Sequence, residues 1–348
     1  MKHRFPQASP QARPRLRRPT AHDVARVAGL SQSAVSRAFT PGASISDDAR
    51  LKVLAAAQTL GYRPNMIARS LITERSGTIG LAIGYMENQF YPAILEALST
   101  EFAAAGYRLL LFTQGPRDDS DPLLDEVLRH RVDAVILASV RMTSKFAEEC
   151  SKAQVPVVLI NRRTEAEIAS SVTGENRIGA QAIAAFLVAG GHQRFAYMAG
   201  LEDSSTSRER EEGFSEGLGA LGQPAPLRVV GNYDFEAARA GTKRLLLRKQ
   251  PPDAIFCAND HMAFAVIETA RSEFGLTIGR DISVVGFDDV ALAAWPSFML
   301  TTYSQPIQPM VHRLVEITLQ HIEQGGGDPI RDIVPGALII RTSARLPQ

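Results

Sequence analysis

The stretch DVARVAGLSQSAVSRAF, Asp23 to Phe39, holds two helical patterns separated by a break at Gly29-Leu30-Ser31. Val24, Ala25 and Ala28 share one face of the first pattern, and Thr20, with Asp23 three residues on, has capping-box spacing at its start. Ser31 stands where a hydroxyl can accept the free N–H groups opening the second helix. In that helix Val35, Ala38 and Phe39 can pack inward, which turns Gln32, Ser33, Ser36 and Arg37 outward as a polar face. Two short helices joined by a glycine-containing turn make a helix-turn-helix. The second helix of such a pair enters the DNA major groove N-terminus first. There Gln suits adenine and Arg suits guanine, at ~1–3 kcal/mol per good contact. An ordinary amphipathic surface helix would explain neither the turn nor the basic charge around it. A third helix is expected after Ser46, with Asp47 and Asp48 in the first turn, where the dipole favours acids. Val53, Ala56, Ala57 and Leu60 form its apolar stripe, and Gly61 is a natural stop.

Charge separates this region from the rest of the chain. Residues 1–76 hold 13 Lys/Arg against 4 Asp/Glu, so +9; the remainder holds 25 against 33, so −8. A basic head on an acidic body points to a polyanion partner for the head alone. Residues 1–19, Arg-rich with four prolines and no periodicity, read as a disordered basic arm rather than a transit peptide. At 348 residues and 45% hydrophobic, the chain can bury two or three domains. No apolar run reaches the length of a membrane span, and no apolar stretch resembles a secretory signal. The two cysteines, Cys150 and Cys257, form no metal or disulfide spacing, and no cofactor or metal site is expected. A reducing cytoplasm fits.

From residue 77 the texture changes. TIGLAIG, RLLLFT, DAVILAS, VPVVLIN, RFAYMAG, DAIFCAN and DISVVGF are apolar runs of strand length, and helical patterns such as YPAILEALSTEFAAAG alternate with them. Strands apolar throughout are covered on both faces, which implies parallel α/β sheets with helices on each side. The stretch exceeds one sheet of typical domain size, so two are expected.

Thr20 through Leu71 resembles the DNA-binding head of the lactose-repressor (LacI/GalR) family. The shared features are DVA at 23–25, AGLS at 28–31, AVSRAF at 34–39, LGYRPN at 60–65 and ARSL at 68–71. The resemblance continues over nearly the whole remaining chain. It implies a small all-α helix-turn-helix head (20–61), a hinge helix and linker (62–76), and an α/β two-lobed periplasmic-binding-protein-like effector domain (77–348). The lobes then interleave: one takes roughly 77–174 and 304–333, the other 175–303 and 334–348. It also implies that Leu71 is a wedge entering the minor groove, with Asn65 and Ala68 at other minor-groove positions; Arg69, a cation among them, can meet phosphate, and Thr20 is counted with these residues among the expected DNA contacts. An apolar wedge unstacks a base step and kinks the duplex, which gives a leucine there a physical purpose.

In the body, three motifs match the family's ligand contacts. In TSREREEGF (206–214) the arginine three residues before the glycine is Arg210, with Arg208 a weaker candidate. CANDHMA (257–263) supplies Asn259, and VVGFDD (284–289) supplies Asp288. All three lie near ends of strand-like runs, where open α/β sheets bind ligands. In the first lobe, Phe90 in Asn88-Gln89-Phe90-Tyr91 and Asn161 are the expected contacts. Arg162 and Arg163 either favour an anionic ligand or lie on the surface, and Trp295 either stacks on a sugar or packs at an interface. Taken as amino acids alone, Asn259 can equally cap a helix, Asp288 can sit in a turn and Arg210 can pair with a surface acid.

The seven histidines are scattered, and no metalloprotease, nucleophile-elbow, phosphate-loop or dinucleotide motif occurs, so no catalytic residues are expected. The expected protein is a regulator, a repressor, of a pseudo-palindromic DNA operator. A small-molecule effector, a sugar or sugar acid, controls it. Since no leucine heptad tail comes after GALIIRTSA, a homodimer is expected.

Overall fold

The computed structural model describes residues 19–40, 42–63, 75–113, 121–164 and 168–347. Most of the basic arm lies outside them, as do Asn65, Ala68, Arg69 and Leu71. The chain divides into two compact units, Met1–Glu74 and Arg75–Gln348.

In the first unit, helix α1 (Ala21–Ala28) begins at the capping box: the Asp23 N–H donates to Thr20 Oγ1 at 3.4 Å and the Thr20 N–H to Asp23 Oδ2 at 2.9 Å. Gly29 ends it at φ 68°, a left-handed conformation that glycine adopts without a Cβ penalty, and Gly61 ends the third helix, Asp47–Leu60, at φ 65° the same way. Ser31 Oγ accepts the Ala34 N–H at 3.2 Å and starts α2 (Gln32–Ala38). Ser46 does the same for α3 (Asp47–Leu60). The core is small: Val24, Ala25, Val35, Ala38, Val53, Ala56 and Ala57, closed by Phe39 and Tyr62 with ring centroids 5.9 Å apart. So small a core depends on its caps, each contributing ~1 kcal/mol. Arg50 adds a tie, donating to the Ala38 carbonyl at 2.9 Å from the far end of α2.

The second unit alternates strand and helix in chain order: β1 (Thr78–Ile83), α4 (Phe90–Ala104), β2 (Arg108–Thr113), α5 (Asp121–His130), β3 (Ala134–Ala138), α6 (Ser144–Lys152), β4 (Val157–Ile160) and β5 (Ser170–Gly174). It continues with α7 (Asn176–Ala189), β6 (Phe195–Ala199), α8 (Ser205–Ala220), β7 (Leu227–Val230), α9 (Phe235–Leu246), β8 (Ala254–Cys257), α10 (Asp260–Ser272) and β9 (Ser283–Asp288). The last elements are β10 (Thr301–Ser304), α11 (Ile307–Gln324), β11 (Arg331–Val334) and β12 (Leu338–Ile339).

Two six-stranded sheets result, in the orders β11-β5-β4-β3-β1-β2 and β12-β10-β9-β8-β6-β7. Every pairing is parallel except β10 with β12. Strands β3, β5, β6, β8 and β9 are buried at every residue, as parallel strands covered on both faces must be. The chain crosses between the sheets three times, at 174–176, 304–307 and 334–338. Ser304 ends a strand of the second sheet and Val334 ends a strand of the first.

Both sheets reverse direction of winding, the first between β1 and β3 and the second between β6 and β8. Such a switch point splays the adjoining loops apart and opens a crevice beyond the carboxyl ends of the strands. Among the described residues no helix is long and apolar enough to cross a membrane, and no cluster of three metal-ligating side chains occurs.

Candidate functional site

On α2 the burial pattern separates two faces. Ala34, Val35 and Ala38 are buried, whereas Gln32, Ser33, Ser36 and Arg37 are exposed on a helix that opens with free N–H groups. Ser33 Oγ lies 2.8 Å from Ser31 Oγ, and Arg37 Nε donates back to the Ser33 carbonyl at 3.4 Å. Thr20 is half-buried, and its hydroxyl donates to Asp23 Oδ2 at 2.8 Å, so its hydrogen is already engaged in the cap.

In the second unit a narrow cleft is lined from the carboxyl ends of strands in both sheets. Tyr85, Asn88 and Tyr91 come after β1, Ser139 after β3 and Asn161 after β4. From the other sheet, Thr206 and Arg210 come after β6, Tyr233 after β7, Asn259 after β8 and Asp288 at the end of β9. Four residues expected from the sequence, Asn161, Arg210, Asn259 and Asp288, therefore meet in one place.

Their polar atoms are only partly engaged. Arg210 is 2% exposed, with its Cζ over the Phe287 ring, 3.7 Å from the centroid. Its Nε donates to Asn176 Oδ1 at 2.9 Å, its Nη1 donates to the Ala258 carbonyl, and Nη1 stands 3.6 Å from Asp288 Oδ1. Nη2 finds no partner among the described residues. Asn259 caps α10, its Oδ1 accepting the Met262 N–H at 3.0 Å, while its Nδ2 is left unpartnered. Asn161 donates through Nδ2 to the Tyr91 hydroxyl at 3.4 Å and keeps Oδ1 unpartnered. Buried polar atoms without partners each cost about 1–3 kcal/mol, so their convergence on one cleft marks a place prepared for a ligand.

Electrostatics agree. Burial pushes the Asp288 carboxyl above the usual carboxylate range, opposed by Arg210, Gln305 and Asn88. Behind it, Asp260 accepts from the Thr302 hydroxyl at 2.6 Å and the Val290 N–H at 3.0 Å. Burial raises Asp260 too, and repulsion from Asp288 adds to the shift. The backbone is strained at the same place. Tyr85, Ser139, Asn161, Asn232, Tyr233 and Asp288 hold φ of 56°, 66°, 60°, 54°, 58° and 132°. Non-glycine residues rarely sit there, and such outliers gather at functional sites.

Several contacts bridge the cleft walls. The Tyr85 hydroxyl donates to the Asn232 carbonyl at 3.1 Å, and the Tyr85 and Tyr233 rings meet edge to face at 6.0 Å. The Arg163 N–H donates to Ser205 Oγ at 3.1 Å, and Arg163 Nε pairs with Glu209 at 2.5 Å.

The expectation for Phe90 is overturned. Phe90 is fully buried in the core, because it shares the inward stripe of α4 with Ile94, Ala97 and Leu98. Tyr91, one residue and about 100° further round the helix, reaches the cleft instead. Trp295 is exposed and does not line the cleft. Arg163 is engaged by Glu209, and Arg162 is buried beside Tyr91, where it opposes the upward push of burial on that phenol. Arg208 donates to the Glu202 carbonyl outside the cleft lining. Tyr85, Tyr233 and Ser139 are not singled out by the sequence, although Tyr85 directly follows the run TIGLAIG and Ser139 ends the run DAVILAS; Tyr233 follows β7, whose run LRVV is not read as a strand from the sequence.

Residues 20–65 match the family described as bacterial regulatory proteins, lacI family, and residues 184–344 match the periplasmic binding protein-like domain. The chain is 30% identical to the catabolite control protein A of Priestia megaterium over 292 residues, 83% of this chain and 88% of that one. It belongs to the lacI family. The fold of this lacI-family protein is accordingly a helix-turn-helix head joined to a two-lobed α/β body. It resembles the lac repressor dimer bound to operator and the anti-inducer ONPF, with TM-score 0.84 and 26% identity over 94% of this chain and 99% of that one. It also resembles the complex of the transcriptional regulator CelR with cellobiose, with TM-score 0.71 and 28% identity over 94% of this chain and all of that one.

Proposed function

We propose that this lacI-family protein is a homodimeric, cytoplasmic transcriptional repressor with no catalytic step of its own. Its exposed α2 face, Gln32, Ser33, Ser36 and Arg37, reads half of a pseudo-palindromic operator, and Thr20 braces the start of α1. Asn65, Ala68 and Leu71 take the minor-groove contacts that the family resemblance gives them, and Arg69 meets phosphate. An effector of the sugar or sugar-acid class seats among Asn161, Arg210, Asn259 and Asp288.

One observation carries the ligand reading. Three buried polar atoms on residues that line one cleft, Asn161 Oδ1, Arg210 Nη2 and Asn259 Nδ2, have no partner among the described residues, and they stand beside the buried carboxyl of Asp288. Two donors and two acceptors in a small space suit a molecule dense in hydroxyl groups. The lac repressor complex with operator and the CelR complex with cellobiose support the same reading.

The test is a thermal-shift screen of the full chain with sugars, sugar acids and nucleobases. A ligand that binds only the folded state raises the melting temperature. The expected hit is a sugar or sugar acid whose shift disappears in Asp288→Asn. A hit whose shift survives in both Asp288→Asn and Asn259→Ala would place the effector elsewhere.

A further inference from the structure

The cleft arginine and the salt bridge across the cleft mouth share one neighbour, Asn176. It is 2% exposed and is the first residue of α7, directly after the crossover from β5 into the second lobe. Its Oδ1 accepts from Arg210 Nε at 2.9 Å, and its Nδ2 donates to Glu209 Oε2 at 2.9 Å. The other oxygen of Glu209 accepts from Arg163 Nε, which belongs to the lobe opposite. A guanidinium only donates and a carboxylate only accepts, so chemistry alone fixes which end of the amide faces which partner.

Glu209 and Arg210 are adjacent on α8 and point about 100° apart, one to the mouth of the cleft and one to its floor. No residue of α8 can serve both directions. Asn176, coming from the neighbouring helix, spans them. Its bond to Nε, with the Ala258 carbonyl on Nη1, also leaves Nη2 as the unspent donor of Arg210. Because Asn176 sits on a crossover, rotation of the lobes about that strand moves its side chain.

We infer that Asn176 is a positioning residue that couples the set of the Arg210 guanidinium to lobe closure, through Glu209 and Arg163. The inference rests on the effector reading for its biological meaning, but the relay itself is tested without any effector.

Asn176→Asp keeps an acceptor for Arg210 and sets a carboxylate against Glu209. Adding Glu209→Gln restores the second hydrogen bond with donor and acceptor exchanged. Lobe closure is read in the full chain by energy transfer between dyes on cysteines placed at Leu111 and Leu247, both exposed and one in each lobe; the native Cys150 and Cys257 are buried. The expected result is a closed-to-open ratio about fivefold lower in Asn176→Asp, as for the loss of one charge-assisted hydrogen bond. It should recover by at least half in the Asn176→Asp/Glu209→Gln pair. A general packing defect would not be repaired by the exchange. If Asn176→Asp fails to fold, recovery of folding and closure in the pair supports the relay, and continued failure overturns it. Unchanged transfer in folded Asn176→Asp, or no recovery in the pair, also overturns it. Such a failure leaves the effector screen untouched, so the two readings fall separately.

Discussion

Arg210 Nη1 and Asp288 Oδ1 stand 3.6 Å apart with both side chains 2% exposed, and Asp260 lies just behind them. One buried cation thus faces one buried carboxyl, Asp288, which a second, Asp260, repels from the other side. Attraction between buried charges does little more than offset their desolvation, but removing one partner strands the other. Arg210→Met keeps an apolar stem over Phe287 and removes the charge. It is expected to lower stability by about 3 kcal/mol in urea unfolding and to abolish the effector's thermal shift. Asp288→Asn leaves Arg210 held by Asn176 and the Ala258 carbonyl, so its cost should be clearly smaller. Equal costs would mean that the pair, rather than the cation, carries the interaction.

Recognition by α2 predicts a separation between specific and general DNA binding. Arg37 is exposed on the polar face, and its Nε donates to the Ser33 backbone carbonyl at 3.4 Å. Arg37→Ala should weaken operator binding by about 1–3 kcal/mol per site and relax preference at one base position. Binding to random duplex should fall much less. Filter binding on both duplexes at one salt concentration checks this, and equal losses would assign Arg37 to phosphate.

Part of the site was legible and part was not, and the difference lies in what sets each residue's direction. Asn161, Asn259 and Asp288 sit where a strand ends, and strand ends can be located from the apolar run alone, whereas Arg210 lies within α8 and is found through its motif. Phe90 and Tyr91 are adjacent aromatic residues at the start of a helix, and which one faces the cleft depends on where the first turn begins. Asn88 settles that locally by accepting the Phe90 N–H at 3.2 Å, a detail no periodicity carries. RLLLFT reads as a strand buried on both faces, yet β2 lies at a sheet edge with Leu111 exposed, because edge position is a property of topology. Tyr85 and Tyr233 hold positive φ, which is unfavourable for a bulky side chain and is imposed by the tertiary fold.

The buried carboxylates predict a stability profile. Asp260 and Asp288 both titrate above the ordinary Asp value of about 3.9 when folded, so the native state binds more protons than the unfolded chain above that pH. Their contribution therefore favours the fold in mildly acidic solution and declines as pH rises from about 4 toward neutrality. Asp260→Asn should flatten this slope, read as melting temperature against pH, although it leaves one of the Thr302 and Val290 donors poorly matched. A slope unchanged in Asp260→Asn would show that other groups set the profile.

The clasp between Tyr85 and the Asn232–Tyr233 turn predicts how tightly the cleft holds its ligand. The hydroxyl bond at 3.1 Å and the edge-to-face rings at 6.0 Å join loops from opposite lobes. A hydrogen bond of this kind contributes about 0.5–1.5 kcal/mol net, and an aromatic pair a similar amount. Tyr85→Phe removes the first and keeps the second. Ligand binding that requires closure should then weaken about fivefold, mostly through faster dissociation, since the clasp forms after the ligand has entered. Tyr85→Ala removes both contacts and should weaken binding further, to about 30-fold. Stopped-flow measurement with the effector found by thermal shift separates the rates. Because the closed state is one member of a pre-existing equilibrium, the same variants should also show a larger open fraction without ligand. If Tyr85→Phe changed only the association rate, the two rings would guard entry to the cleft and would not hold it shut.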